Sequence, residues 1–369
     1  MSLECYLDQI KTFYDFIIQY IEDEKNNDEE IDLNDFNQIQ IKDILFLLSK
    51  IAKNHHRNRF FFTKIEKIIL FWRDKIIQNV SNDDLFNIFK NNKRMILFLI
   101  NNQFICINET IINYMKKKDK NFYYLHYFYP EIESLIDDEE KKKIKEEILS
   151  IDENIFNYFD EKRKQGENDS YLCDLIRSDN IVDFVSYVSR KNYSLESTIK
   201  LSMFETNSIL IKNETSLIEY ASFFGSIQIF KFLILNNVKL ESSLWNYSIH
   251  SLNSEMIHIL EENDIKPDTN CLFESIKCHH NDIAKYIEDN VLNDTKIEIN
   301  KNNFHSNVAS YIFNNYNYYF IPEKIDDYYC IFFYLCKYDY FEIVKLYLNS
   351  YELDLDKTLS KELICIKIF

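Results

Sequence analysis

Apolar and polar residues alternate along this chain with a helical rhythm, and over one stretch that rhythm returns at a fixed interval. Ser216-Leu217-Ile218-Glu219-Tyr220-Ala221-Ser222-Phe223-Phe224-Gly225 is answered 27 residues later by Ser243-Leu244-Trp245-Asn246-Tyr247-Ser248-Ile249-His250-Ser251-Leu252. A second apolar stripe follows each: Ile229, Phe230, Phe232 and Leu233, then Met256, Ile257, Ile259 and Leu260. Apolar positions three and four apart define one face of a helix, so each unit is predicted to be a helical hairpin. Asp282-Ile283-Ala284-Lys285-Tyr286-Ile287 continues the spacing once more after Glu255. Glu342-Ile343-Val344-Lys345-Leu346-Tyr347-Leu348 reads as another second helix, with room for one poorly conforming unit around Phe304 to Tyr319. Weaker copies lie upstream, in Leu172 to Ser178 with Phe184 to Val188, and in Leu85 to Lys90 with Met95 to Ile100. Self-similarity at a fixed period is the mark of a repeat array, in which each unit buries its apolar face only against its neighbours.

Local signals fit the hairpin. Ser216 with Glu219 three residues on forms a capping box, which satisfies exposed amides at a helix start. Gly225 falls just past that helix, where a left-handed residue closes the turn at little steric cost. Ser226 is then placed to cap the next helix. Leu252 and His279 hold the glycine position in the following units. A left-handed leucine costs about 1 kcal/mol or more, so the turn is expected to shift onto Asn253 there.

Read against the ankyrin unit, with its T-P-L-H-x-A start, glycine and E-I-V-x-L-L second helix, Ser216, Ile218, Glu219, Ala221 and Gly225 fall on matching positions. Gln228 to Leu233, Glu255 to Leu260 and Asp282 to Ile287 match the second helix. On these residues the chain resembles the trichomonad-type family of divergent ankyrin-like proteins carrying a domain of unknown function. The resemblance covers 216–290 and 330–350, with a trace in Ile44 to Ile76 around Asn54-His55-His56-Arg57. It implies an all-α solenoid of degenerate ankyrin-like hairpins. A 27-residue unit is about six short of the usual 33, and Gly166 and Gly225 are the only glycines. Finger loops, which need glycine at tight turns, are therefore expected to be shortened or absent. In ankyrin proteins the inner helix and its turn face the concave side. Carried over by position, that marks Glu219, Phe223, Phe224, Asn246, His250, Ser251 and Lys277 as partner-binding residues. Phe223 and Phe224 are either an exposed aromatic anchor or packed inward against Trp245 and Tyr247.

Composition agrees with a folded helical protein. Hydrophobic residues make up 46% of 369 positions and aromatics 16%, which excludes wholesale disorder. Two glycines and three prolines are too few for sandwiches, barrels or doubly wound sheets. A net charge of −17 disfavours nucleic-acid or anionic-membrane binding through the surface as a whole. Lys141 to Lys143 adjoin Asp137 to Glu140 and Glu146-Glu147, so they read as a solvated helix face, and the run Lys116 to Lys118 stands alone. No stretch of 18 apolar residues suggests a membrane span. The start Met1 to Cys5 lacks a basic region leading into an apolar core, so no secretory signal is expected. The eight cysteines follow no disulfide spacing, and reduced, mostly buried thiols in a cytoplasmic protein are expected.

Little catalytic machinery stands out. Phosphate loops, dinucleotide fingerprints and nucleophile elbows need paired glycines, and here they stand at 166 and 225. The best metal candidate is Cys271 with Cys278-His279-His280. Its three consecutive donors at an interhelix turn favour a plain turn, and His55-His56 reads the same way. No catalytic, cofactor-binding or metal residue is therefore assigned, and no cofactor. Three regions follow: 1–130 helical, as degenerate hairpins and cap, with an acidic loop from Glu22 to Asp32; 131–169 as charged linker or surface helices; 170–369 as the ankyrin-like array. The functional expectation is a non-catalytic protein-binding scaffold whose partner the sequence does not name. The alternative is a self-associating structural repeat protein, a homo-oligomer, with a metal-dependent or Cys/His enzyme ranked below both.

Overall fold

The computed structural model describes residues 2–23, 31–55, 60–212, 214–292, 301–320 and 328–350. It is all-helical, with 71% helix and no strand among the described residues. In chain order the helices used below are α1 (Leu3–Glu22), α2 (Ile41–Asn54), α3 (Phe61–Phe71), α4 (Asn82–Phe89), α5 (Lys93–Asn101), α6 (Tyr171–Arg177) and α7 (Ile181–Arg190). They continue with α8 (Leu217–Phe224), α9 (Ile227–Leu235), α10 (Leu244–Ser251), α11 (Ser254–Glu262), α12 (Thr269–Cys278) and α13 (Asn281–Ile287). The last are α14 (Lys301–Asn314), α15 (Tyr328–Lys337) and α16 (Phe341–Ser350). The chain divides into two compact units, each discontinuous in sequence.

One unit gathers Met1–Leu48, Arg57–Phe71 and Thr295–Phe369. Its helix α1 buries Leu3, Tyr6, Ile10, Phe13, Tyr14, Ile17 and Ile21, the three-and-four spacing of a single helical face. Ser2 caps its start by accepting from the Cys5 amide, and Lys64 on α3 donates to the Tyr20 and Asp23 carbonyls at its end. Helix α16 packs on α1. Tyr316 and Tyr340 stack at 4.4 Å, and Tyr340 donates to the Phe313 carbonyl. Buried Asp43 accepts from Tyr6 Oη at 2.6 Å. Burial, reinforced by the Glu342 charge and opposed by the Tyr6 bond, pushes its carboxyl up to about 6.

The other unit comprises Ser49–His56 and Trp72–Asp294. Helices α6, α8, α10 and α12 pack side by side in chain order, and each also contacts the helix that follows it in sequence. The small buried residues Ala221, Ser248 and Ser275, 27 apart, allow the close approach; Ser222 Oγ and Ser248 Oγ meet at 2.7 Å. Each of these helices ends in a left-handed residue, at Asp179, Gly225, Leu252 and His279. The following helices end the same way at Asn192, Asn237 and Asp264. There the amide one residue further on reaches back five positions, as in Val238 N to Leu233 O and Ile265 N to Leu260 O. The connections at 236–243 and 263–268 contain no strand. An isolated bridge pairs Thr198 with Ser216.

Two turn expectations need correcting. Leu252 itself takes the left-handed conformation, at φ 49°, and Asn253 is extended at φ −107°. Asn253 is committed elsewhere: its Oδ1 caps α11 at the Glu255 amide and its Nδ2 donates to the Gly225 carbonyl. Ser226 does not cap α9 with its hydroxyl, which donates to the Ile176 carbonyl at 2.6 Å. The amides of Gln228 and Ile229 are capped instead by the Asp179 carboxylate, at 3.0 Å each. The capping box of Ser216 and Glu219 is present.

The charged segment behaves as a solvated helix face, with Lys141, Lys142 and Lys143 paired to Asp138, Glu146 and Glu147. Lys116 is not isolated but pairs with Glu140 at 2.6 Å. Of the described cysteines, Cys173, Cys271 and Cys278 are buried, Cys336 is half-buried, and Cys5 and Cys106 are exposed. No described helix is long and apolar enough to cross a membrane. Most of the acidic loop, His56, and the side chains of 301–307 in the poorly conforming unit lie outside the described residues.

Candidate functional site

The residues marked for partner binding sit on α8, α10 and α12, and the register of these helices brings several together at their C-terminal ends. Phe223, His250 and Lys277 occupy one position, 27 residues apart. The Phe223 ring stacks on His250 at 5.0 Å and meets Phe224 edge-on at 4.9 Å. His250 Nε2 donates to Glu274 Oε1 at 2.8 Å, and Lys277 Nζ reaches the same oxygen at 2.6 Å. Cys278, one turn after Glu274 on α12, places its Sγ 3.6 and 3.5 Å from the two His250 ring nitrogens and 3.8 Å from Glu274 Oε1.

Burial sets the electrostatics of this cluster. Burial works against the Glu274 charge, but the His250 hydrogen bond and the Lys277 and His250 charges outweigh it and hold the carboxyl down at about 2. Burial, with the Glu274 charge beside it, pushes the Cys278 thiol well above its usual range. Cys271 is pushed up to about 12 and Cys173 to about 11, again by burial first. A thiol held protonated in this way is a poor nucleophile.

Of the two readings open for Phe223, the burial favours packing inward over an exposed anchor: Phe223 is only 7% exposed, and His250 and Ser251 are 6% each. Position 223 faces the adjoining helix α10 rather than open solvent, because a helix that packs on neighbours at both sides has little free face left. Phe224 is half-buried against Tyr220, at 4.7 Å. Glu219 is half-buried and accepts from the Ser216 amide and from Ser243 Oγ, which ties the starts of α8 and α10 together. Ser251 donates to Ser248 O and accepts from the Asn253 amide, substituting for a backbone bond at the Leu252 turn. Asn246 and Lys277 are half-buried.

Beside the starts of α8 and α10 lies a groove of about 390 Å³. Among the described residues Glu196, Glu214, Glu219 and Glu241 line it, with Lys239 as a cation and Ile218, Val238 and Leu244 as its apolar wall.

The donor set suggested by the sequence, Cys271 with Cys278-His279-His280, does not converge. Cys271 and Cys278 stand at opposite ends of α12, about 10 Å apart at 1.5 Å per residue. Cys271 Sγ turns to Asp268 Oδ1 at 3.3 Å. His280 Nδ1 lies 2.6 Å from the Ile249 carbonyl and His55 Nδ1 2.8 Å from the Cys278 carbonyl; a carbonyl only accepts, so both nitrogens carry the proton. The two rings meet edge-on at 4.8 Å. Among the described residues the group that does converge is His250, Glu274 and Cys278, whose donor atoms all lie within 4.8 Å of one another. Glu274 escaped the sequence reading, although a signal existed: it stands 27 residues after Tyr247 and 54 after Tyr220, a carboxylate at an otherwise aromatic position.

Compared with models of protein families, with curated proteins and with solved structures, the chain matches none.

Proposed function

We propose that this chain is a non-catalytic, cytosolic protein-binding scaffold, a solenoid of ankyrin-like hairpins akin to the divergent family its repeats resemble. One observation carries the reading. Ser226, Asn253 and His280 share a position 27 residues apart, and each side chain reaches back to a carbonyl at the end of the preceding inner helix: Ile176, Gly225 and Ile249. Three different side chains reach back from one repeat position, Ser226 and His280 to carbonyls that match in register and Asn253 to the turn residue Gly225, so what recurs is the stacking of each turn on the one before it rather than a residue. Stacked units of this kind present long continuous surfaces suited to macromolecules. With net charge −17 and a groove whose described lining bears four carboxylates to one ammonium, a protein partner presenting positive charge is favoured over nucleic acid. The second reading, self-association of the array, rests on exposed apolar side chains of the second helices, such as Leu235 on α9 and Val182 on α7.

Cross-linking of the full chain in a lysate of its source cells, followed by mass spectrometry, tests this. Cross-links from a second protein that map to α8, α10, α12 and their groove support the scaffold. Cross-links only between copies of this chain, together with a dimer or larger mass by light scattering, replace it with self-association. A monomer without cross-linked partners overturns both.

A further inference from the structure

We propose that His250, Glu274 and Cys278 form a binding site for a zinc-class divalent metal ion that ties α10 to α12. The proposal is independent of the scaffold reading and concerns chemistry that reading does not use. Imidazole, carboxylate and thiolate are the three donor types such ions take from proteins. With metal–nitrogen and metal–oxygen bonds of about 2.0 Å and metal–sulfur bonds of about 2.3 Å, a tetrahedral site sets its donors about 3.3 to 3.6 Å apart. The separations here are 3.5 Å from sulfur to His250 Nε2, 3.8 Å from sulfur to Glu274 Oε1 and 2.8 Å from Nε2 to that oxygen. Opening the Nε2–Oε1 pair by about 0.5 Å and turning the His250 ring so that Nε2 alone points toward the sulfur converts the cluster into a coordination set.

Position supports the assignment. Glu274 and Cys278 lie four residues apart on one face of α12, and His250 lies on the adjoining α10. At the previous junction the corresponding residues are Phe223, Tyr247 and Ser251, an aromatic pair and a hydroxyl that serve packing and a local cap. All three become metal donors together at the next junction. One carboxylate and one thiolate balance a divalent ion, and the half-buried Lys277, which holds the same Glu274 oxygen at 2.6 Å, turns out to solvent when the ion takes its place. A nucleophilic role for the same three residues fits less well. Cys278 is fully buried, out of reach of a substrate. Binding displaces the thiol proton, so it releases acid.

Cobalt(II) titration of the full, metal-stripped chain tests the site, because a tetrahedral cobalt–thiolate centre shows a sulfur-to-metal charge-transfer band and intense visible bands. One equivalent per chain is expected, displaced by zinc. Cys278→Ser should abolish the charge-transfer band, and His250→Phe, which installs the side chain found at position 223, should abolish tetrahedral binding while circular dichroism stays native. Cys271→Ser should leave the spectrum intact. Absence of the band in the parent chain overturns the proposal, as does its survival in Cys278→Ser or folded His250→Phe, or its loss in Cys271→Ser.

Discussion

The junction between α8 and α10 and the junction between α10 and α12 share one geometry and differ in chemistry. Both are spaced by small residues, Ala221 with Ser248 and then Ser248 with Ser275, and both close on left-handed turns. At the first, Phe223 stacks on His250 and Ser222 bonds Ser248. At the second, His250, Glu274, Lys277 and Cys278 form a buried polar cluster. The same histidine serves both, with its ring face against phenylalanine and its edge toward carboxylate. Backbone closure and small residues at the crossing thus set how these helices meet, and that leaves the neighbouring positions free to be either apolar packing or charged chemistry.

Truncation at the first junction should give the largest effect. Phe223→Ala removes a buried ring and leaves a cavity, with an expected loss of about 3 kcal/mol. Urea unfolding followed by tryptophan fluorescence reads it well, since Trp72 and Trp245 both lie in the unit concerned. A loss below 1 kcal/mol would show that Phe223 is not part of the core and restore it as a surface anchor.

Disturbing the closure that both junctions share comes next. Gly225 sits at φ 69°, and a side chain there would meet Asn253 at 3.3 Å and Ser251 at 3.4 Å. Gly225→Val should cost about 2 kcal/mol or more, from left-handed strain with a β-branched residue and from these contacts. Hydrogen exchange should show α8 and α10 losing protection first. Uniform loss across every helix would mean that the turn acts on the whole unit at once.

The second junction should respond to acid where the first does not. Glu274 is held near 2 in the folded chain, against an ordinary value of 4.5. Its contribution is therefore complete above about pH 5 and is lost as pH falls from there toward 2. Glu274→Gln should destabilise the neutral-pH protein by about 2 kcal/mol and flatten that part of the stability profile. Asp43, in the other unit, runs in the opposite sense: its carboxyl is raised to about 6, so the stability it confers is present below about pH 4 and is lost as pH rises through 6. An unchanged acid profile in Glu274→Gln would mean that His250 and Lys277 do not depend on this carboxylate.

The helices of this region were legible in the sequence because their apolar spacing is local. The stripe read at Gln228 to Leu233 is α9, Ile227–Leu235, and the Ser216 capping box forms as its spacing implies. What could not be read depends on the neighbouring chain. Ser226 looks like a cap from its own sequence, but a carbonyl from 50 residues earlier takes its hydroxyl. Phe223 looks available until α10 covers it, and Glu274 looks like an ordinary surface charge until His250 arrives from the adjoining helix. The gathering of residues 1–48 with the segment after 295 into one unit likewise rests on contacts that no period along the chain encodes.

The smallest effect should come from Leu252, and its sign is the informative part. Its left-handed turn is held at φ 49° by a residue that disfavours it, while its side chain is 38% exposed and contributes little packing. Asparagine tolerates this conformation better. Leu252→Asn should therefore stabilise the chain by up to about 1 kcal/mol, and it leaves Asn253 free to keep its cap on α11 and its bond to Gly225. Equilibrium unfolding measures the difference. If the substitution destabilises instead, the leucine side chain is itself part of the junction between α8 and α10, and closure there depends on packing as well as on backbone conformation.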